Sequence, residues 1–175
     1  VTAELREKLI ATAREMNHSG INQGTTSGNL SLRSGDGMLI TPSGLPYDRL
    51  EPADIVFLPL DCGDAAVSKG PRKPSSEWRI HRDVYRARPE ALAILHAHPV
   101  HCAALACLNR PLPAFHYMVA VAGGRDVRCA PYATFGTQAL SHHVRAALQG
   151  RRACLMANHG LLCLAADLRS ALALA

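Results

Sequence analysis

The sequence predicts an α/β fold, a three-layer α/β/α sandwich in which a central mixed, largely antiparallel sheet is covered by helices on both faces. Three observations predict it. Helix-period and strand-period segments alternate along the chain. Turn signals of the hairpin kind sit between several strands. The run Ala91-Leu92-Ala93-Ile94-Leu95 is apolar throughout, as a buried strand is.

Residues 1–16 carry Leu5, Leu9, Ala13 and Met16 on one side of an amphipathic helix, which is no signal peptide. A glycine-rich and hydroxyl-rich loop follows, from Gly20 to Asn29. Leu30 to Arg33 alternates as a strand does. Asp36-Gly37 signals a tight turn, and Met38 to Thr41 returns. Thr41-Pro42-Ser43-Gly44 makes a second turn, and Ile55 to Leu60 is another strand. Asp61 to Pro74 is polar and rich in Gly, Lys and Pro, so an exposed loop or short hairpin is expected.

Ser75 or Ser76 caps a helix that holds Glu77 in its first turn, runs to about Arg88 and is ended by Pro89. The strand through His96 and His98 comes next, then a helix from about Pro99 to Leu108. Arg110 to Gly136 is less regular, punctuated by Pro and Gly. Thr137 to Gln149 is helical, and Ala153–Met156 and Leu161–Leu164 are apolar strands flanking Asn158-His159-Gly160. Asp167 to Ala175 begins as a capped helix and stops in full pattern, so a C-terminal helix and tail are expected to be truncated or unobserved.

At 175 residues, with 48% hydrophobic and 19% charged residues, the chain reads as one soluble globular domain over residues 1–175. No apolar stretch approaches the roughly 18–20 residues of a membrane span. The six cysteines form no Cys-x-x-Cys pair, which points to reduced, buried thiols and a cytoplasmic protein. The net charge of +5 comes from 16 Arg and 3 Lys scattered along the chain. Nucleic-acid binding calls for a basic stripe with interleaved aromatics, and aromatics are only 5%. Neither nucleic acid nor membrane is therefore expected as a partner.

His96-Ala97-His98 is the most informative pattern. Side chains two apart on a strand share a face, so both imidazoles can reach one ion. With His159 and Glu77 they offer three nitrogens and a carboxylate, a set that suits a divalent transition metal, zinc above all. Packed or hydrogen-bonded histidines would read the same way. Ser75-Ser76-Glu77 is equally an ordinary cap or, through hydroxyls and a helix N-terminus, a phosphate site. The loops Thr26–Asn29 and Ser43-Gly44 pose the same choice. No Walker loop or dinucleotide fingerprint is present. His101 reads as structural or as a support behind the ligands rather than as a ligand, His142, His143 and His18 as solvated, His81 and Tyr85 as packed and Trp78 as core. Tyr117 is either a buried anchor or a phenol able to act as a general acid.

Several stretches together resemble the class II aldolase/adducin family. They are Asn22-Gln23-Gly24-Thr25, Gly28-Asn29-Leu30-Ser31, residues 37–42, Pro74-Ser75-Ser76-Glu77-Trp78-Arg79, His96-x-His98-x-x-His101-Cys102, His116-Tyr117-Met118, residues 130–137 and His159-Gly160-Leu161. They span nearly the whole chain in the family's order. The resemblance implies one zinc ion per subunit held by Glu77, His96, His98 and His159. It implies that Gly28, Asn29, Ser43, Gly44, Ser75 and Ser76 surround a substrate phosphate, and that Phe135 lies on the aldehyde side. It further implies a homotetramer with active sites at subunit interfaces, where Tyr117 is donated across the boundary.

The activity so implied is reversible cleavage of a ketose 1-phosphate, L-fuculose 1-phosphate foremost, to dihydroxyacetone phosphate and L-lactaldehyde through a metal-stabilised enediolate. Glu77 would shuttle the C3 proton and Tyr117 would exchange one with the aldehyde oxygen. Alternatives are cleavage of a 5-deoxy- or methylthio-pentulose 1-phosphate, sugar-phosphate 4-epimerisation, and a non-enzymatic adducin-like interaction domain. The chain departs from the family pattern at Asn158, where a relative carries a further histidine. It also departs at Ser43, where threonine is typical, and in a Thr25-Thr26-Ser27 loop one residue longer than usual.

Overall fold

The computed structural model describes residues 3–63 and 71–175. Val1 and Thr2, expected to open the N-terminal helix, and the middle of the expected Asp61–Pro74 loop, Lys69 included, lie outside them.

Among the described residues, seven strands form one sheet: β1 (Asn29–Ser34), β2 (Gly37–Ile40), β3 (Val56–Pro59), β4 (Ala93–Ala97), β5 (Arg128–Ala130), β6 (Ala153–Met156) and β7 (Gly160–Ala165). Their order is β3-β2-β1-β4-β7-β6-β5, and every pairing is antiparallel except β5 with β6. The mixed, largely antiparallel sheet is therefore present, with β4 in its centre.

Alternation along the strands divides the core in two. Leu30, Leu39, Leu95, Ala97, Leu155, Leu161 and Cys163 pack on one face under α1 (Ala3–His18), α3 (Val100–Cys107) and α5 (Leu168–Leu174). Met38, Ile40, Leu58, Ile94, Met156, Leu162 and Leu164 pack on the other under α2 (Trp78–Ala87) and α4 (Gln138–Ala147). Ile94 and Leu95 are both fully buried, one to each face. Each such side chain contributes roughly 1.5–3 kcal/mol of burial.

Capping follows the sequence in two helices. Thr137 accepts from the Leu140 N–H ahead of α4, and Asp167 from the Ser170 N–H at 2.7 Å ahead of α5. Three boundaries differ from expectation. His98, expected on the strand with His96, lies one residue past the end of β4. Gly35 and Asp36, with Gly35 at φ +58°, make the two-residue turn, while Gly37 already pairs with Ser34. Glu77 occupies the cap position of α2 rather than its first turn, and Ser75 Oγ accepts the Glu77 N–H at 3.4 Å. Asp83, buried in α2, accepts hydrogen bonds from Arg82, Gln138 and Ser141 and so ties α2 to α4. The six cysteines are unpaired; Cys154 and Cys163 are buried, whereas Cys107 is exposed. No helix among the described residues is long and apolar enough to cross a membrane.

Candidate active site

Antiparallel pairing of β4 with β7 sets Ala97 opposite Leu161, so the end of β4 meets the turn that carries His159. That turn joins β6 to β7 in three residues, with Asn158 at φ +55°, a left-handed position that asparagine tolerates better than other side chains. Close approach is possible because residue 160 is glycine. A β-carbon there would stand 2.5 Å from the Ala97 carbonyl oxygen and 2.8 Å from the His98 ring. His96, on β4, and His98, one residue past its end, then join His159 with ring centroids 4.6, 4.8 and 5.3 Å apart. One ligand nitrogen from each lies within 4.8 Å of the other two. A four-coordinate divalent ion holds its donors roughly 3–3.5 Å apart, so small ring rotations suffice to converge them. His96 Nδ1 donates to the Leu161 carbonyl at 2.8 Å, which turns Nε2 toward the cluster.

Glu77 enters from the start of α2 and is 5% exposed. Its Oε2 accepts from Asn29 Nδ2 at 3.1 Å and lies 3.0 Å from His96 Nε2; its Oε1 lies 3.5 Å from His159 Nε2. The contact with His96 is close but not aligned as a hydrogen bond. Glu77 Oε1 and His96 Nε2 are accordingly buried polar atoms without a hydrogen-bond partner. Such orphans are costly, and a cation among them satisfies both. Three nitrogens with one carboxylate oxygen are a donor set of the right kind for a divalent transition metal.

Proton affinities agree with a cationic centre. Burial pushes the Glu77 carboxyl up, but the close approach of His96, the nearby His159 and the bond from Asn29 outweigh it, so the group stays ionised well below the usual carboxylate range. Burial disfavours charge on His96, yet the Glu77 carboxylate beside it raises its pKa overall. A positive charge belongs there, and a proton or a metal ion can supply it. Burial, with His96 and His159 nearby, lowers His98 to about 4 and keeps it neutral. Burial and His96 lower His159 as well.

Above the histidines opens a cleft of about 260 Å³. Thr26, Ser27, Gly28, Asn29, Pro42, Ser43, Gly44, Ser75, Ser76, Glu77, His98, Phe135 and His159 line it. The structure thus brings together all the expected site residues except His96, buried beneath, and Tyr117. The backbone N–H groups of Ser43 and Ser75 bond to the Lys73 and Thr41 carbonyls, which leaves their hydroxyls as the donors they can offer to the cleft. Asn29 is 3% exposed, and its amide already serves Glu77 and His81; one of its two N–H donors is committed to the carboxylate. Tyr117 begins a 3₁₀ turn, Tyr117–Ala122, is 79% exposed and lies outside the cleft. It is no buried anchor.

Other residues were given no role by the sequence. His81, expected only to pack, is fully buried and bonded on both ring nitrogens, to Ser31 and Asn29. Asn22 bonds the Ser27 carbonyl through Nδ2 and accepts the His98 N–H at 3.1 Å, pinning the glycine-rich loop to the histidine strand. Tyr47 donates to the Gly28 carbonyl at 2.8 Å and steadies the same loop. His143, expected to be solvated, is half-buried and bonds the Pro131 carbonyl.

Known proteins match both the sequence and the fold. The family model of the class II aldolase and adducin N-terminal domain matches residues 7–175. A 5-methylthioribulose-1-phosphate/5-deoxyribulose-1-phosphate aldolase from Rhodospirillum rubrum is 53% identical over 171 residues, which are 98% of this chain and 75% of that protein. An L-fuculose phosphate aldolase from Escherichia coli O6:H1 is 51% identical over 172 residues, 98% of this chain and 78% of the relative. A solved L-fuculose 1-phosphate aldolase superposes with a TM-score of 0.93 at 41% identity, covering 99% of this chain and 81% of the other. The buried carboxylate facing three histidines is therefore met in a chain that belongs to the class II aldolase/adducin family, as an aldolase of the metal-dependent class.

Proposed function

We propose that the protein, as one aldolase domain, is zinc-dependent and reversibly cleaves a ketose 1-phosphate to dihydroxyacetone phosphate and an aldehyde. The observation that carries this reading is the pairing of two ends of one cleft. At its floor a buried, ionised carboxylate with an unbonded oxygen faces three imidazoles. Along its wall stand small hydroxyl and glycine residues at the start of α2 and in two loops, an environment suited to a phosphate.

Glu77, His96, His98 and His159 would hold the ion, which supplies a Lewis acid for negative charge developing on the ketose oxygens. Gly28, Asn29, Ser43, Gly44, Ser75 and Ser76 bind the phosphate and so fix the C1–C3 end of the sugar beside Glu77. As the C3–C4 bond breaks, its electron pair remains with C3, and Glu77, once it has taken a proton from solvent, delivers it to C3 to complete dihydroxyacetone phosphate and returns to its ionised form. Tyr117 of a neighbouring subunit in a homotetramer relays the C4 hydroxyl proton to solvent as the aldehyde forms, its oxygen accepting that proton while its own passes on, in keeping with its exposure here. Phe135 borders the aldehyde. Unpaired cysteines fit work in the reducing cytoplasm.

L-Fuculose 1-phosphate, yielding L-lactaldehyde, is the leading substrate. The Rhodospirillum rubrum relative favours a second one, a 5-deoxy- or methylthio-pentulose 1-phosphate, which shares the phosphate end and differs only in the aldehyde. Each ketose 1-phosphate is offered in turn, with released dihydroxyacetone phosphate coupled to NADH oxidation. Release from at least one, abolished by a chelator and restored by zinc, is the expected result. No release from any of them, or chelator-resistant release, would overturn the reading.

A further inference from the structure

Beneath Glu77 a hydrogen-bonded chain runs away from the cleft into the core. Asn29 Oδ1 meets His81 Nε2 at 2.5 Å, His81 Nδ1 meets Ser31 Oγ at 2.6 Å, and Ser31 Oγ meets Tyr85 Oη at 2.9 Å. Asn29 and Ser31 are two residues apart on β1, while Glu77, His81 and Tyr85 are four apart along the start and first turns of α2. Strand period and helix period coincide, so each side chain of one element meets its counterpart on the other. Asn29, Ser31, His81 and Tyr85 are all buried.

We infer that His81 is a positioning residue that holds the Asn29 amide in one orientation and thereby holds the Glu77 carboxylate in register with the site. The inference rests on the reading of Glu77 as the group that moves the C3 proton.

Chemistry leaves each link one direction. An ionised carboxylate only accepts, so the Asn29 atom facing Glu77 must be Nδ2 and the atom facing His81 must be Oδ1. That oxygen can only accept, so His81 carries its proton on Nε2. His81 is neutral, since burial, with His96 adding to it, lowers its pKa to about 3; Nδ1 is therefore bare and accepts the one hydroxyl proton of Ser31. Ser31 Oγ then accepts from Tyr85. Turning the Asn29 amide over would set Nδ2–H against Nε2–H and Oδ1 against the carboxylate, two repulsions at once. With Oε2 so anchored, Oε1 is left pointing to His159.

Two measurements test this. In the full-length protein with 15N-labelled histidine, long-range 1H–15N correlation should show His81 protonated at Nε2 and bare at Nδ1. The opposite tautomer would overturn the proposal whatever the enzyme's substrate. Second, zinc-loaded wild type, His81→Leu and His81→Gln are compared for C3 proton exchange of dihydroxyacetone phosphate into D2O. Zinc content and melting temperature are measured alongside.

His81→Leu should lose about tenfold to a hundredfold in exchange rate with zinc content retained. His81→Gln, whose amide nitrogen can replace the Nε2–H donor, should recover to within about fivefold of wild type. Unchanged exchange in His81→Leu, no rescue by Gln, or a loss that tracks zinc content would overturn it. If His81→Leu does not fold, Ser31→Ala takes its place: about threefold to tenfold slower exchange with zinc content retained supports the inference, and unchanged exchange refutes it. A Glu77→Gln control that exchanges as fast as wild type would fail the reading of Glu77 alone, leaving the tautomer to judge His81.

Discussion

Gly28 passes so close beneath His96 that a β-carbon on it would lie 2.7 Å from the His96 carbonyl oxygen. The neighbouring Asn29 is the register partner of His96 across β1 and β4, so the glycine-rich loop and the histidine strand are one mechanical unit.

Gly28→Ala should therefore damage the site from behind. The residue sits at φ +73°, where a side chain is strained, and the atom it would strike is backbone. The expected cost is at least about 2 kcal/mol, from the left-handed backbone together with the collision. A fall in the urea midpoint with reduced zinc retention would show it; an unchanged midpoint would mean that the loop moves aside freely.

Glu77→Gln keeps the size of the side chain while removing its charge and basicity. The three imidazoles should still retain some zinc. Exchange of the C3 proton of dihydroxyacetone phosphate should fall about a hundredfold or more. Exchange at the wild-type rate would exclude Glu77 as the proton carrier.

Tyr117→Phe removes a hydroxyl from a side chain that is 79% exposed, so stability should change by less than about 0.5 kcal/mol. Cleavage of the ketose 1-phosphate should slow about a hundredfold, while zinc content and C3 exchange stay near wild type. Equal losses in cleavage and metal content would contradict a role confined to the aldehyde oxygen.

Asp83 gives a pH-dependent test of the fold apart from the site. Burial raises its carboxyl, but bonds from Arg82, Gln138 and Ser141 outweigh it and leave the pKa below its ordinary 3.8. A carboxyl depressed on folding adds stability above its unfolded pKa and loses it as pH falls through the lower, folded value. Asp83→Asn should thus cost about 2 kcal/mol at pH 7, with the deficit shrinking as pH drops below about 4. Denaturation midpoints at pH 7 and pH 3 check this; a deficit that does not change with pH would show that charge contributes nothing at this position.

The layers were legible because the strands alternate and the helix starts are capped by recognisable residues. Thr137 and Asp167 behave as their types demand. Tight boundaries were less so: Asp36-Gly37 resembles a hairpin turn, but packing under Phe57 draws Gly37 into β2 and leaves Gly35 to take the positive φ. The histidine cluster could be anticipated from His96-x-His98, because residues two apart on a strand share a face. His81 could not be separated from an ordinary core residue by its own neighbours. Its role becomes visible only when α2 lies across β1, although the spacing of Glu77, His81 and Tyr85 against Asn29 and Ser31 held the clue. Tyr117 was ambiguous for the opposite reason, since exposure depends on tertiary packing that local sequence does not encode.

β4 is flanked on each side by three strands. An imidazole mounted there inherits its place from hydrogen-bonded neighbours left and right, not from whatever it coordinates. A divalent ion arriving at such a scaffold has little chain to organise, unlike the ion of a zinc finger, whose binding is inseparable from folding. Loading and unloading should accordingly leave the architecture standing. The enzyme can then be stripped and reconstituted, or given a different divalent ion, without passing through an unfolded state.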